Sequence, residues 1–262
     1  MQHVDVKVHE EIATIVLDRP QVRNALSPGL LEDLNQAFSD VHQEKRVKAV
    51  VLTGAGSDFC SGLDLAVLNE INELPESESL AQSHQYWRQW AESIEVLLRF
   101  PKPVVAAVDG LAAGAGLTLA LASDLMVLSH SATLSAPAIR HGLVGGVTAS
   151  LLAFRHGGAL ASQMALSGEP MNAKVAVTRG IACQAVGSDQ IWVAACDWAR
   201  RCTQGPAAAI QATKRVINES IGEELISQIS AAAAAGAAGC SHETAAQGIQ
   251  AFVEKTDPPW HG

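Results

Sequence analysis

The sequence predicts an α/β protein whose strands end at glycine-containing loops, followed by a helical C-terminal region. Two short apolar runs rich in β-branched residues, at 49–53 and 104–108, each stop at such a loop. Helical patterns separate the two runs, whereas strand signals fade after Ala159. Parallel strands alternating with helices account for the first part of the chain, and packed helices account for the second.

The N-terminal residues predict two strands and a helix. Val4, Val6 and Val8 alternate with polar residues, and the run 12–17 is again strand-like, which favours an antiparallel hairpin. Ser27 before Pro28 is typical of a helix start, because serine caps the first turn and proline fits its first position. Helical spacing then continues to near Glu44 in the apolar residues Leu30, Leu31, Leu34, Phe38 and Val41.

The middle of the chain repeats a unit of strand, loop and helix. The run 49–53 leads into Gly54-Ala55-Gly56, and the run 104–108 leads into Asp109-Gly110. A helix is expected between them at 83–100, and a third strand at 125–128 follows a segment rich in glycine and alanine. This repetition predicts a core of parallel strands.

The C-terminal part predicts helices at 190–203, 207–219 and 223–253. The last of these contains the nearly uncharged alanine run 231–235 with Ala237 and Ala238. Two interpretations fit such a run: a well-packed helix of small side chains, or a face in close contact with a neighbouring subunit.

Composition excludes several classes of protein. The chain has 262 residues, 48% of them hydrophobic, so it can bury a full core, and its net charge of −9 argues against a nucleic-acid partner. The N-terminus lacks the apolar stretch of a secretory signal, and no run is long enough to span a membrane, so we expect a cytoplasmic protein. Five cysteines, without a C-x-x-C pair, predict free thiols.

Several common catalytic motifs are absent from the sequence. The segment Gly110 to Gly116 follows a strand but lacks the G-x-G-x-x-G spacing of a dinucleotide loop. There is no G-x-S-x-G elbow, Walker loop or H-E-x-x-H helix, and the nine histidines are scattered. We therefore expect no metal.

Two loops of small residues carry the functional argument. Phe59 to Leu65 follows one predicted strand and Asp109 to Leu117 follows the next, and each leads into a helix. Small residues let a backbone approach a ligand, and the first N–H groups of a helix have no partner within it. Two such donors could converge on one oxygen, such as a thioester carbonyl that becomes an enolate. The alternative is that both loops are merely tight turns.

These loops and their order resemble the crotonase (enoyl-CoA hydratase/isomerase) superfamily. The loops read F-C-S-G-L-D-L at 59–65 and D-G-L-A-A-G-A-G-L at 109–117, similar to the family's F-x-x-G-x-D-L and N-G-x-x-x-G-G-G. The family's opening is matched by I-V-L-D-R-P at 15–20 and R-N-A-L at 23–26. Its later segments are matched by A-L-S-G-E-P-M-N-A at 165–173, F-V-E-K at 252–255 and P-W-H-G at 259–262.

The resemblance implies a crotonase-like spiral of ββα repeats over 1–198 and a C-terminal helical trimerisation region over 199–262. It implies a homotrimer or a dimer of trimers, and an oxyanion hole made by the backbone N–H groups of Leu63 and Ala115. Ala115 stands where the family usually has glycine. Its methyl group is tolerable at negative φ but would narrow the hole at positive φ.

The acids that the family uses for hydration are missing. The two glutamate positions hold Thr118 and Ala138, and a third acid position used by some relatives holds Gly146. Addition of water needs one group to activate it and another for the α proton, so classical hydratase activity is doubtful. His141, three residues after Ala138, is the nearest candidate base; the alternative is a histidine on the outward side of the turn.

The resemblance also suggests a binding pocket. Trp87, beside Tyr86 and Trp90, would line the acyl pocket or simply pack in the core. Arg23 and Lys255 would meet the nucleotide phosphates. Asp64 is interpreted as a loop or helix-cap carboxylate, and Cys60 as a buried small hydrophobe. The candidate substrate and CoA residues are Arg23, Ala25, Ser61, Gly62, Asp64, Leu65, Trp87, Gly114, Thr118, Ala138 and Lys255.

Two function classes follow. The first is an enzyme, of lyase or isomerase type, that polarises an acyl-CoA thioester and stabilises its enolate. Its chemistry would need few acids, as in decarboxylation, hydrolysis, C–C cleavage or a proton shift by His141. The second is a non-catalytic acyl-CoA binder. In either case the only cofactor is coenzyme A as part of the substrate. The retained loops favour the enzyme, and the missing acids favour the binder.

Overall fold

The computed structural model of the chain describes residues 1–219 and 222–260. Its strands are β1 (Val4–His9), β2 (Ile12–Leu17), β3 (Ala49–Gly54), β4 (Val104–Val108), β5 (Leu111–Ala113), β6 (Leu125–Ser129), β7 (Thr133–Ser135), β8 (Met171–Asn172) and β9 (Gln184–Val186). Its α-helices are α1 (Pro28–Gln43), α2 (Leu65–Asn72), α3 (Glu76–Arg99), α4 (Ala115–Ala122), α5 (Gly146–His156), α6 (Gly158–Ser167), α7 (Ala173–Thr178), α8 (Ile191–Cys202), α9 (Ala207–Glu219), α10 (Gly222–Gly239) and α11 (Glu243–Glu254).

The main sheet has six strands in the order β1-β2-β3-β4-β6-β9. The β1–β2 pair is antiparallel, as the N-terminal alternation predicts, and the remaining pairs are parallel. The predicted helix start is confirmed, since Ser27 Oγ accepts a hydrogen bond from Leu30 N with Pro28 at the first position. A second sheet contains β5, β7 and β8.

Successive turns of the chain repeat a ββα unit. After β2, β3, β4 and β6 in the main sheet, a short extended segment enters a second layer before the chain turns into a helix. In that layer Leu26 pairs with Leu63, Cys60 pairs with Ala112, and β5 pairs with β7, all in parallel. The stacked segments place the loops that precede α2 and α4 side by side.

The main sheet is covered on both faces, which explains why its central strands are apolar throughout. On β3, Val50 and Leu52 pack into the larger core with α1 and α3. The alternate residues Ala49 and Val51 face the other way, against α8.

The C-terminal region differs from the prediction of one helix at 223–253. The chain breaks after Gly239 and forms two helices, α10 and α11. The alanine-rich helix packs on its own chain: a Cβ built on Gly236 would lie 2.5 Å from the Trp87 ring, and one built on Gly146 would lie 3.0 Å from Ala232. The small-residue face is therefore used within the chain, while the oligomeric state stays a prediction.

Two further differences concern short or weakly patterned segments. The helix expected at 83–100 begins earlier, at Glu76. Strand signals fade after Ala159 in the sequence, but two short strands, β8 and β9, follow in the structure, and β9 forms an edge of the main sheet. These strands have two and three residues, too few to show a period. Over the described residues, no helix combines the length and apolar character that crossing a membrane requires.

Candidate active site

Backbone hydrogen bonds join the two loops of small residues. Phe59 N donates to Asp109 O at 2.8 Å and Cys60 N donates to Leu111 O at 3.0 Å. In return, Ala113 N donates to Cys60 O at 3.0 Å. The two loops therefore run together up to the residues that begin α2 and α4.

Gly62 allows the closest approach between the loops. Its φ of +107° lies in the region that favours glycine, and a Cβ there would lie 2.9 Å from Ala113 O and 3.5 Å from Ala115 N. The peptide unit that ends in Leu63 N–H therefore lies beside the one that ends in Ala115 N–H. The two residues whose N–H groups the resemblance implies as donors are therefore neighbours in the structure, while their role stays a prediction.

Gly114 takes the backbone conformation that an alanine would resist. Its φ is +50°, whereas Ala115 is the first residue of α4 and is not among the residues with positive φ. The Ala115 methyl group therefore causes no backbone strain. Because Ala115 is the first residue of α4, its N–H has no acceptor within that helix.

The carbonyl end of each donor peptide is also held. Gly62 O accepts a hydrogen bond from Leu26 N at 2.8 Å. Gly114 O accepts hydrogen bonds from Thr118 N and Thr118 Oγ1, both at 3.0 Å, and Thr148 Oγ1 lies 3.3 Å away. Both donor peptides are therefore fixed before any ligand arrives, a condition for effective stabilisation of an oxyanion.

Asp64 caps α2, in agreement with its interpretation as a helix-cap carboxylate. Its side chain accepts from Ala66 N at 3.2 Å and pairs with Arg19 Nη1 at 2.8 Å, largely buried. The Tyr86 hydroxyl accepts from Asp64 N at 3.0 Å and donates to Leu26 O. Arg19 and Tyr86 thus stabilise the segment around Leu63. The sequence analysis did not predict this role for either residue.

No carboxylate stands at the three positions where the resemblance expects one. The Thr118 side chain is fully buried, and its hydroxyl contacts that of Thr148 at 2.8 Å. Ala138 is half-buried in a 3-10 helix, Pro137–His141, and Gly146 is the first residue of α5.

His141 packs against the C-terminal helix α11. Its ring centroid lies 5.4 Å from that of Phe252, with the rings edge to face. Its carbonyl oxygen would be 2.2 Å from a Cβ built on Gly248. Ala138 and His141 are three residues apart in the 3-10 helix and therefore lie on the same side of it. A role for His141 as a base near the site stays a prediction.

Trp87 is a buried ring between α3 and α10, 5% exposed, with Gly236 packed on it. Tyr86 and Trp90 are also buried. The structure thus places Trp87 in the packing of the C-terminal helix, as the core-packing interpretation has it, and leaves its contact with an acyl group a prediction.

The proposed phosphate-binding residues lie at the surface. Arg23 makes a two-point ion pair with Asp58, at 2.8 and 3.1 Å, and remains 57% exposed. This pairing is the main cause that lowers the pKa of Asp58 below its usual value. Lys255 is exposed at the end of α11. Residues 261–262 of the C-terminal motif lie outside the described residues.

The remaining loop residues have structural contacts. Ala25 is buried, and Leu65 is half-buried at the start of α2. Ser61 Oγ donates to Val22 O at 3.4 Å. Cys60 is buried, as predicted, and burial raises the pKa of its thiol to about 12, so it is protonated at neutral pH and a poor nucleophile.

A cleft of about 420 Å³ lies at the opposite end of α4 from the two loops. Its lining includes Ser123, Asp124, Arg155, His156 and Cys183.

Within 1–219 and 222–260, no group of three or more His, Cys, Asp or Glu side chains is arranged to hold a metal ion.

Known proteins resemble this chain over nearly its whole length. The sequence profile of the enoyl-CoA hydratase/isomerase family matches residues 7–262. A Rhodobacter capsulatus protein named "Probable enoyl-CoA hydratase" is 33% identical over 261 residues, covering 98% of this chain and 96% of that protein. The 2,3-dehydroadipyl-CoA hydratase of Escherichia coli K12 is 30% identical over 264 residues, covering all of both chains.

Solved structures show the same fold. The crystal structure of an enoyl-CoA hydratase from Mycobacterium avium subsp. paratuberculosis is 26% identical with a TM-score of 0.84, covering 99% of each chain. That of an enoyl-CoA hydratase/isomerase from Mycobacterium paratuberculosis is 26% identical with a TM-score of 0.86, covering 95% of this chain and 98% of that one. The predicted spiral with a C-terminal helical region is therefore confirmed.

Proposed function

Because this chain belongs to the enoyl-CoA hydratase/isomerase family, we propose that it binds an acyl-CoA thioester with the carbonyl oxygen between the N–H groups of Leu63 and Ala115. The observation that supports this proposal is the adjacency of the two donor peptides, which depends on Gly62 at φ +107° and Gly114 at φ +50°. Two N–H donors held in place favour an oxygen that gains negative charge, as a thioester oxygen does when an enolate forms.

The reaction is one that forms an enolate with little help from side-chain acids. Thr118, Ala138 and Gly146 offer no carboxylate, so proton transfer to or from the α and β carbons would need another group, and His141 is the candidate. Decarboxylation, hydrolysis or C–C cleavage would depend mainly on the hole. Removing one oxyanion-hole donor raises the activation free energy by about 2.7–4 kcal/mol in reference enzymes. An oxyanion hole alone can therefore support catalysis.

The second candidate is a binding protein without catalysis. The full burial of Thr118, at a position where the family has an acid, favours a binding protein. Its hydroxyl is hydrogen-bonded to Thr148 and Gly114, so it cannot activate a water molecule beside the substrate. Single-turnover assays with acyl-CoA esters that carry a β-carboxylate or a β-keto group would distinguish the two, since only the enzyme releases product.

Calorimetric titration tests the proposed ligand. Crotonyl-CoA and acetyl-CoA should bind, whereas crotonate should not, because it lacks both the thioester and the nucleotide. No heat and no thermal shift with a panel of CoA esters would reject acyl-CoA binding. Light scattering tests the proposed homotrimer or dimer of trimers, and a stable monomer at micromolar concentration would reject it.

Crotonyl-CoA hydration should be very weak in this protein. General acid and base groups each contribute about 10²–10⁴-fold, so the loss of both leaves at most a residual rate. If the double variant Thr118→Glu with Ala138→Glu raises the rate while His141→Ala changes nothing, the site is a degenerate hydratase pocket with no substitute base. A loss of activity on another acyl-CoA in His141→Ala would instead make that histidine the base. Hydration by the unmodified protein at about 10 s⁻¹ or faster, an ordinary enzyme rate, would show that the acid positions were assigned wrongly.

A further inference from the structure

Two buried threonines hold the peptide unit that ends in the Ala115 N–H. The carbonyl of that unit belongs to Gly114, and its oxygen lies 3.0 Å from Thr118 Oγ1 and 3.3 Å from Thr148 Oγ1. The two hydroxyl oxygens are 2.8 Å apart. Thr118 N also donates to the same carbonyl at 3.0 Å.

The three oxygen atoms share two hydroxyl protons, and the distances favour one arrangement. The 2.8 Å separation between the hydroxyls suits an O–H···O bond best, and 3.0 Å to the carbonyl is shorter than 3.3 Å. Thr148 therefore donates to Thr118, and Thr118 donates to Gly114. A hydroxyl that accepts one hydrogen bond becomes a stronger donor in the next, so Thr148 acts through Thr118.

A peptide unit is planar, so fixing its carbonyl oxygen also fixes the direction of its N–H. Hydrogen bonds to the Gly114 oxygen draw electron density from the amide and make the Ala115 N–H a better donor. Thr118 is 0% exposed and Thr148 is 6% exposed, and the bond between their hydroxyls is buried. The other donor peptide is held at Gly62 O by the backbone N–H of Leu26, at 2.8 Å.

We propose that Thr118 and Thr148 are positioning residues that aim and strengthen the Ala115 N–H toward a bound thioester oxygen. This inference rests on the proposed function. The position where the resemblance expects an acid then serves the oxyanion hole and takes no part in proton transfer.

The test uses crotonyl-CoA labelled with ¹³C at the thioester carbonyl, whose infrared stretch moves to lower frequency when the oxygen accepts hydrogen bonds. Thr118→Val, which keeps the shape and removes the hydroxyl, should lose a large part of the shift seen with the unmodified protein. Thr148→Val should lose less, and the double variant should match Thr118→Val because the two hydroxyls form one chain. Affinity should fall by about 2- to 10-fold, the worth of one hydrogen bond.

Two variants separate positioning from simple packing. Thr148→Ser keeps a hydroxyl and should restore the full carbonyl shift. Thr53→Val removes a half-buried hydroxyl that donates to Ala107 O at 2.9 Å, between strands β3 and β4, and it should leave the shift unchanged. Thermal unfolding of each variant shows whether it is folded under the assay conditions.

An unchanged carbonyl shift in folded Thr118→Val would overturn the inference while leaving acyl-CoA binding intact. If Thr118→Val fails to fold, the carbonyl shifts of Thr148→Val and Thr148→Ser are compared instead. Equal shifts in these two variants would overturn the inference. An unmodified protein that binds no crotonyl-CoA would instead overturn the proposed function.

Discussion

Tyr86 is the single tyrosine of the sequence, and we predict that it ionises only when the protein unfolds. Its hydroxyl accepts from Asp64 N and donates to Leu26 O, next to the proposed donor Leu63, and the residue is 2% exposed. Burial, the largest cause, raises the pKa of Tyr86 well above its ordinary value of 10.0, and the nearby Asp64 carboxylate adds to the effect.

The magnitude follows from the difference in bound protons. Above pH 10.0, the ordinary pKa of tyrosine, the unfolded chain loses the Tyr86 proton while the folded protein keeps it. Stability therefore falls as pH rises, by about 1.4 kcal/mol for each pH unit from this group alone. Below that pH both states hold the proton, so Tyr86 contributes no pH dependence there.

Urea unfolding of the unmodified protein and of Tyr86→Phe, over a series of alkaline pH values, measures this contribution. Tyr86→Phe should lower the free energy of unfolding by about 1–3 kcal/mol near neutral pH, because Asp64 N and Leu26 O lose a hydrogen-bond partner. At high pH the variant should lose less stability than the unmodified protein does. Buried thiols also titrate there, since the pKa of Cys196 is raised to about 11 mainly by burial. They are common to both proteins and cancel in the difference.

Ultraviolet absorption follows the same ionisation directly, without interference from other tyrosines. The tyrosinate band should appear together with the loss of the native circular dichroism. Ionisation near pH 10.0 in a protein that keeps its native circular dichroism would refute the argument, because it would mean that the hydroxyl reaches water in the folded state.

Two further predictions test close approach and buried charge. Gly116→Ala should destabilise the fold by about 1–3 kcal/mol or more, since its Cβ would lie 2.2 Å from a backbone oxygen, whereas Gly158→Ala, with open space, should stay within about 1 kcal/mol in urea unfolding. Lys214→Met should cost about 3–5 kcal/mol because it leaves Asp124, its partner at 2.7 Å, without that buried cation. Lys48→Met, at an exposed ion pair, should change stability by at most about 0.5 kcal/mol, and equal costs for the two lysines would contradict the burial argument.

The sequence predicted those parts of the fold that local patterns determine. The Ser27-Pro28 helix start, the N-terminal hairpin and the strand Val104–Val108 each depend on neighbouring residues, and the structure has all three. The break between α10 and α11 was missed because the helical pattern resumes soon after Gly239, and the three residues that separate the helices, Cys240–His242, include no proline. Packing of α11 on the 3-10 helix is a long-range contact, which no local pattern reveals.

The candidate site shows the same division between local and long-range information. Leu63 and Ala115 could be proposed from their loops, because small residues before a helix leave a visible pattern. Thr148 could not, since its contact with Thr118 joins residues 30 apart in the chain. Likewise, the edge-to-face packing of His141 on Phe252 joins two distant elements, and the sequence alone could not choose between its two interpretations.

Ala115 shows why a departure from a family pattern need not mean a lost function. The sequence left the sign of its φ open, and a positive value would have cost an alanine about 1–2 kcal/mol. In the structure the unusual backbone conformation belongs to Gly114, one residue earlier, and Ala115 begins a regular helix. Glycine is thus required before the donor and not at it. The proposed hole therefore tolerates a methyl group at Ala115, whereas Gly114→Ala would strain the peptide that carries the N–H.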